Sequence, residues 1–333
     1  MSVHRVALLV VLSVSSCTRN ATSAGGGDAS EPDAGTISPG EPDAGRAAVD
    51  AGPPPVVTFA ALGDTGKLNA GQRQIAATLA KVCAERGCDF VALLGDNLYE
   101  SGATSVTDPI FQDRFETIYA GTPAPFWVVL GNHDYGGNGA GNEFFKGQVE
   151  VDYTARSSKW HLPARSWHQT FKHVELFGLD TNASLYKLDG TQGSDVASWM
   201  AASTATWKIA LGHHPYLSNG PHGNAGGYDG DPGYPDGYGV EVKRLLEGSV
   251  CGKAQLYLCG HDHSRQWLSD TCKGTELAVS GAGSVGTVLP GSDASRFQSV
   301  GLGLLYVRVE GNTLTAEFLD ADGKVEFTRT LSR

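Results

Sequence analysis

Five short segments of the 333-residue chain place a polar side chain directly after glycine: Gly63-Asp64-Thr65-Gly66, Gly95-Asp96-Asn97-Leu98-Tyr99, Gly131-Asn132-His133-Asp134, Gly212-His213-His214-Pro215 and Gly260-His261-Asp262-His263. Carboxylate and amide oxygens combined with imidazole nitrogens suit iron, zinc or manganese, and the lack of thiolate at these positions argues against a structural zinc–cysteine site. A single aspartate or histidine of this kind is ordinarily a helix cap or a satisfied core group. Five together, each preceded by glycine, read as a ligand set for two adjacent metal ions. Glycine fits because the chain must turn sharply and approach an ion without a side chain in the way.

Each segment needs an element to deliver it, and apolar runs stand in front of all five. Val56–Leu62, Phe90–Leu94, Phe126–Leu130, Trp207–Leu211 and Leu256–Cys259 are short, continuous and rich in branched and aromatic residues, which is the pattern of strands buried on both faces. A helix with Ile75, Leu79 and Val82 on one side follows the first strand, and another is expected from Val240 to Leu246. Alternating strand and helix implies an α/β body with its ligands at the carboxyl edge of a sheet. From Leu302 onward the alternation through Leu304, Tyr306 and Arg308, then Leu314, Ala316 and Phe318, then Val325 and Phe327 predicts antiparallel strands. Residues 218–239 hold eight glycines and three prolines, a long irregular loop of the kind that covers a site.

In this order the motifs GDTG, GDNLY, GNHD, GHHP and GHDH resemble the metallophosphoesterase superfamily, and within it the purple, tartrate-resistant acid phosphatases, over about residues 56–290. The resemblance implies a four-layer α-β-β-α sandwich of two mixed sheets. It also implies that Asp64, Asp96, Tyr99 and His263 hold one metal, that Asn132, His213 and His261 hold the other, and that Asp96 bridges the two. Tyr99 matches the phenolate that distinguishes the purple enzymes, pointing to Fe(III) paired with Fe(II), Zn or Mn. Two cations about 3.5–4 Å apart acidify a bound water and neutralise phosphoryl oxygens during in-line displacement, so the expected activity is hydrolysis of small phosphate monoesters by a metal-bound hydroxide. The alternative is a phosphodiesterase or nucleotide hydrolase on the same centre. A third possibility is an idle binding module, which all seven intact positions disfavour.

His133, beside a ligand, is placed to stabilise the transition state or to protonate the leaving oxygen. His222, nine residues beyond His213, resembles the family's second substrate-side histidine. His214 stands where mammalian-type members usually carry tyrosine, a departure that bears on substrate choice. Asp134 and Asp262 are expected to orient neighbours or cap helices, and His161, His168 and His173 are taken as ordinary surface or core residues. Asp229, Asp231 and Asp236, with Tyr228, Tyr234 and Tyr238, have the wrong spacing for an EF-hand calcium loop and read as a solvated lid.

Composition narrows the setting. With 41% hydrophobic and 18% charged residues the chain folds, and its net charge of −11 with no Lys/Arg cluster excludes nucleic-acid binding by a basic face. His4 and Arg5 precede the apolar run Val6–Val14 and then Ser15, Ser16 and Cys17. This is a signal peptide over residues 1–17 whose end resembles a bacterial lipobox, implying an exported chain anchored to the cell envelope with Cys17 as its acylated first residue; the alternative is a secreted or periplasmic chain in which Cys17 is incidental. Residues 18–55 repeat Glu-Pro-Asp-Ala-Gly at 31–35 and 41–45 and lack large apolar side chains, as expected of a tether ahead of the domain at 56–333. Setting Cys17 aside leaves five cysteines. Cys83 and Cys88 bracket a helix end and could close a small loop; Cys251 and Cys272 read as lying on consecutive antiparallel strands and could face each other; Cys259 would then be a buried free thiol.

Overall fold

A computed structural model describes residues 54–230 and 239–333. The expected signal segment with Cys17, the tether up to Pro53, and Asp231, Tyr234, Asp236 and Tyr238 lie outside the described residues. Strand β1 (Val56–Leu62) leads into α1 (Ala70–Arg86), followed by β2 (Phe90–Leu94), β3 (Phe126–Val129), α2 (Phe145–Tyr153) and β4 (Trp160–His161). Next come β5 (Trp167–Phe171), β6 (Val174–Gly178), α3 (Thr181–Leu185), α4 (Gln192–Ala202), β7 (Trp207–Leu211), α5 (Val240–Ser249) and β8 (Leu256–Cys259). The chain ends through β9 (Arg265–Leu268), β10 (Glu276–Ser280), β11 (Ser295–Ser299), β12 (Gly303–Glu310), β13 (Thr313–Asp320) and β14 (Val325–Ser332).

These strands form two mixed seven-stranded sheets, ordered β14-β13-β12-β1-β2-β3-β4 and β11-β9-β10-β8-β7-β6-β5. The parallel segment β1-β2-β3 of the first sheet and the parallel pair β7-β8 of the second carry the five motifs. Period-two alternation divides the second sheet between two cores. Ile209, Leu211, Leu256, Leu258 and Ala278 face the first sheet. Ala210, Tyr257, Leu277 and Val279 face Val196 and Met200 of α4 and Val242, Leu245 and Leu246 of α5. The result is the sandwich α1, sheet, sheet, α4/α5. Helix α1 starts where Asn69 accepts from the Gln72 N–H at 2.8 Å while Gln72 Oε1 accepts from the Leu68 N–H at 2.6 Å, a reciprocal cap closely akin to a capping box.

The cysteines pair as expected, but one of the reasons changes. Cys83 and Cys88 are joined across the end of α1, and Cys251 is joined to Cys272, with Cys259 buried and free. Cys251 and Cys272 do not lie on consecutive antiparallel strands: Cys251 sits in the turn closing α5 and Cys272 in the loop between β9 and β10. Their bridge ties a helix end to a hairpin. The antiparallel strands expected from Leu302 onward are present as β12, β13 and β14, with Val325 41% exposed on the edge strand β14. Among the described residues no helix is long and apolar enough to cross a membrane.

Candidate metal centre

The carboxyl ends of β1, β2, β3, β7 and β8 converge, and backbone strain concentrates there. Asp64, Asp96 and His261 all adopt left-handed backbone conformations, with φ of 58°, 54° and 69°, a cost of about 1–3 kcal/mol each that the surrounding structure must offset. The preceding glycines make the convergence possible. A Cβ on Gly95, itself at φ +87°, would lie 2.5 Å from the His213 ring, and one on Gly131 would lie 2.2 Å from Asp96 Oδ1. Both strand ends therefore come within reach of a neighbouring motif only because they carry no side chain.

Two groups of donor atoms result. In one, the Tyr99 hydroxyl lies 3.1 Å from Asp64 Oδ1, 2.9 Å from Asp96 Oδ2 and 3.1 Å from His263 Nε2. In the other, His213 Nε2 lies 3.0 Å from Asn132 Oδ1, 3.1 Å from His261 Nδ1 and 3.4 Å from Asp96 Oδ1. The Tyr99 hydroxyl faces two carboxylate oxygens, and His213 Nε2 a carboxylate and an amide oxygen, each with at most one proton to offer, so a hydrogen bond satisfies one of these oxygens, whereas a cation satisfies both. Hard oxygens, imidazoles and a phenol are also the donor chemistry that iron, zinc and manganese take. The set therefore fits a two-metal centre, and among the described residues Asp96 alone faces both groups, one oxygen to each.

Supporting contacts orient these donors. His213 Nδ1 is 2.9 Å from the Leu94 carbonyl, which assigns the proton to Nδ1 and turns Nε2 toward the site. The Asp96 Oδ1 atom accepts from the His133 N–H at 2.8 Å, and Asp64 Oδ2 accepts from the His261 N–H at 2.9 Å. Asp134, fully buried, gathers the backbone N–H groups of Asn97, Leu98 and Gly131, and so orients its neighbours as expected. Asp262 likewise accepts from the His222 N–H at 3.0 Å.

The charges reinforce one another. Burial would raise the Asp96 pKa, but the charge and hydrogen bond of His213, and then His133, hold it well below the usual carboxylate range. Burial lowers the His213 pKa and Asp96 more than reverses this, leaving it raised to about 9; a cation held by both would take the place of that proton. Burial and the neighbouring His214, His222 and His213 push His261 well below its ordinary value, keeping its imidazole neutral and open to a cation.

His133 and His222 flank the donors without joining them. The His133 ring packs 4.2 Å from that of Tyr99, and its Nδ1 lies 2.7 Å from the Glu100 carbonyl. His222 packs 4.1 Å from the His261 ring, with Nδ1 2.7 Å from Asp229 Oδ1. His222, Asp229, His214, His261, Asn132 and Gly139 line a cavity of about 90 Å³. The lid reading needs correction here: Asp229 holds His222, and Tyr228 is fully buried against the His214 and His261 rings. His214 is fixed through Nδ1 to the Thr181 hydroxyl at 2.8 Å. His168 lies 2.8 Å from Glu175, away from the centre.

Four residues at the site escape the motif reading: Lys67, Glu100, Thr181 and Asp229. Lys67 was the most accessible of them, since it directly follows Gly66 of the first motif. Thr181 and Asp229 are brought in by tertiary structure and carry no local signal.

Comparison with known proteins agrees with this geometry. A family model described as Calcineurin-like phosphoesterase matches residues 57–265. Purple acid phosphatase 3 of Arabidopsis thaliana is 30% identical over 300 residues, covering 81% of this chain and 76% of its own length. Tartrate-resistant acid phosphatase type 5 of Homo sapiens is 27% identical over 325 residues, covering 85% and 93%. The solved structure of a purple acid phosphatase from yellow lupin (Lupinus luteus) seeds shares the fold with a TM-score of 0.60 at 18% identity, over 84% of this chain and 54% of that one. With a family match across well over half its length and two donor groups meeting at Asp96, this chain belongs to the calcineurin-like metallophosphoesterases, and purple and tartrate-resistant acid phosphatases are among its relatives.

Proposed function

We propose that this metallophosphoesterase hydrolyses small phosphate monoesters outside the cytoplasm. The observation that carries the reading is the placement of Asp96 between the two donor groups, with the Tyr99 hydroxyl in one of them. In this reading Asp64, Asp96, Tyr99 and His263 hold ferric iron, and Asn132, His213 and His261, with Asp96, hold Fe(II), Zn or Mn. Bound there, the metals supply charge neutralisation for phosphoryl oxygens and an acidified water.

The chain's own residues do the rest. The Glu100 carbonyl accepts a hydrogen bond from His133 Nδ1–H, leaving Nε2 to carry the proton delivered to the departing alkoxide. Asp229 anchors His222 from Nδ1, so that Nε2 can donate to a phosphoryl oxygen in the cavity. Burial opposes a charged His222, but the Asp229 hydrogen bond and the Asp262 charge outweigh it and raise its pKa, favouring the donor form in acid. His214 closes one wall of the cavity, where its bond to Thr181 keeps the ring from turning.

Relative kcat/KM on a phenyl phosphate monoester and the matching diester tests the reading. A clear preference for the monoester supports it, and a preference for the diester favours the phosphodiesterase alternative. Two disulfides agree with an oxidising compartment, and the lipobox-like end of the leader supports acyl anchoring at Cys17. Mass spectrometry of the mature N-terminus should show acylated Cys17; an unmodified terminus at another residue rejects the anchor.

A further inference from the structure

The ammonium of Lys67 lies 3.6 Å from the centroid of the Tyr99 ring. Tyr99 is 1% exposed and the Lys67 side chain 20%, so solvent screens the pair far less than at an open surface. The loop that carries Lys67 is pinned in place. The Gly66 carbonyl accepts from Arg114 Nη1 at 2.6 Å and from the Tyr99 N–H at 3.2 Å, and a Cβ on Gly66 would lie 2.0 Å from the Asn97 carbonyl oxygen. The ion-pair partner of Lys67 is Glu100, whose Oε1 is 3.7 Å away and whose side chain is 56% exposed. At that separation and exposure the positive charge over the ring is compensated only in part.

A cation above an aromatic face is attracted to the π density beneath it. In a phenolate that density is continuous with the oxygen lone pair that donates to a metal. Resting on the reading of Tyr99 as a ferric ligand, we propose that Lys67 tunes this ligand: its charge lowers the energy of the phenolate donor orbital, so that Tyr99 gives less electron density to the ion it holds. Lys67 is not among the residues that line the cavity, and it meets the donor set through the face of the Tyr99 ring, so it is a tuning residue. The proposal concerns this chain's own loop, because it depends on a lysine at the position after the first motif.

The test is the visible spectrum of the iron-loaded, oxidised protein. Charge transfer from a lower-lying phenolate orbital needs more energy, so Lys67→Met, which keeps the stem and removes the charge, should move the band to longer wavelength. Lys67→Arg should return it close to the wild-type position. Glu100→Gln, which removes the partial compensation, should move it the opposite way, to shorter wavelength. Coincident bands in wild type and Lys67→Met would overturn the tuning role while leaving Tyr99 a ligand. A wild-type protein with no such band, unchanged by Tyr99→Phe, would instead overturn the ferric-phenolate reading and the tuning role with it.

Discussion

The two histidines that flank the donor atoms are held in the same way, with Nδ1 committed to an oxygen of the protein and Nε2 left over. For His133 that oxygen is the Glu100 carbonyl, and for His222 it is Asp229. A group held by its own neighbours and outside the donor set can be removed without removing the metals. His133→Ala should therefore retain both ions while kcat falls, by about 10²–10⁴-fold on alkyl phosphates that need a protonated leaving group. The loss should be smaller on a nitrophenyl ester, whose leaving group is already acidic. Equal losses on both esters, or a metal-free variant, would make His133 structural or a ligand. At this scale the donor residues were legible because each sits in a contiguous motif. Asp229 was not, because its value to His222 comes from a left-handed turn at φ 56° that folds the loop back on itself, and nothing in the local sequence announces that turn.

At the scale of elements, the five motif-bearing strands were readable because burial on both faces leaves an unbroken apolar run. The polar-faced strands were not: β5 reads Trp-His-Gln-Thr-Phe and β11 reads Ser-Arg-Phe-Gln-Ser, and each pairs along one edge only. Helices α2 and α4 were missed for a related reason, since each buries a few side chains and offers little periodic contrast. The disulfides lie at the same scale. Removing the Cys251–Cys272 bridge, which spans 21 residues, should cost about 3 kcal/mol, and removing Cys83–Cys88, which spans 5, about 2 kcal/mol, on loop-closure entropy. Denaturant unfolding of the two double Cys→Ala variants checks the order. If the shorter bridge proves the costlier, local packing at the end of α1 outweighs chain entropy.

At the scale of the whole molecule, a buried carboxyl away from the metal donors links folding to acidity. Asp180 caps α3 and accepts from the Tyr135 hydroxyl, and burial raises its carboxyl from 3.8 to about 6, although the Tyr135 and Ala183 bonds pull the other way. A folded-state pKa above the unfolded value means that the folded chain binds the proton more tightly. This contribution is therefore fully present below pH 3.8 and is lost as pH rises through about 6. The difference corresponds to about 3 kcal/mol. Asp180→Asn removes it, so the stability of wild type relative to the variant should fall between pH 4 and 7; parallel curves would contradict the assignment. The claim on which the whole account turns is that one carboxylate holds two cations together. Metal content per chain in wild type and Asp96→Asn measures this most directly. Two ions per wild-type chain, with both metal and phosphatase activity lost together in the variant, is the predicted result, because an amide lacks the charge to bridge two cations. A variant that keeps two ions per chain and its activity would contradict it.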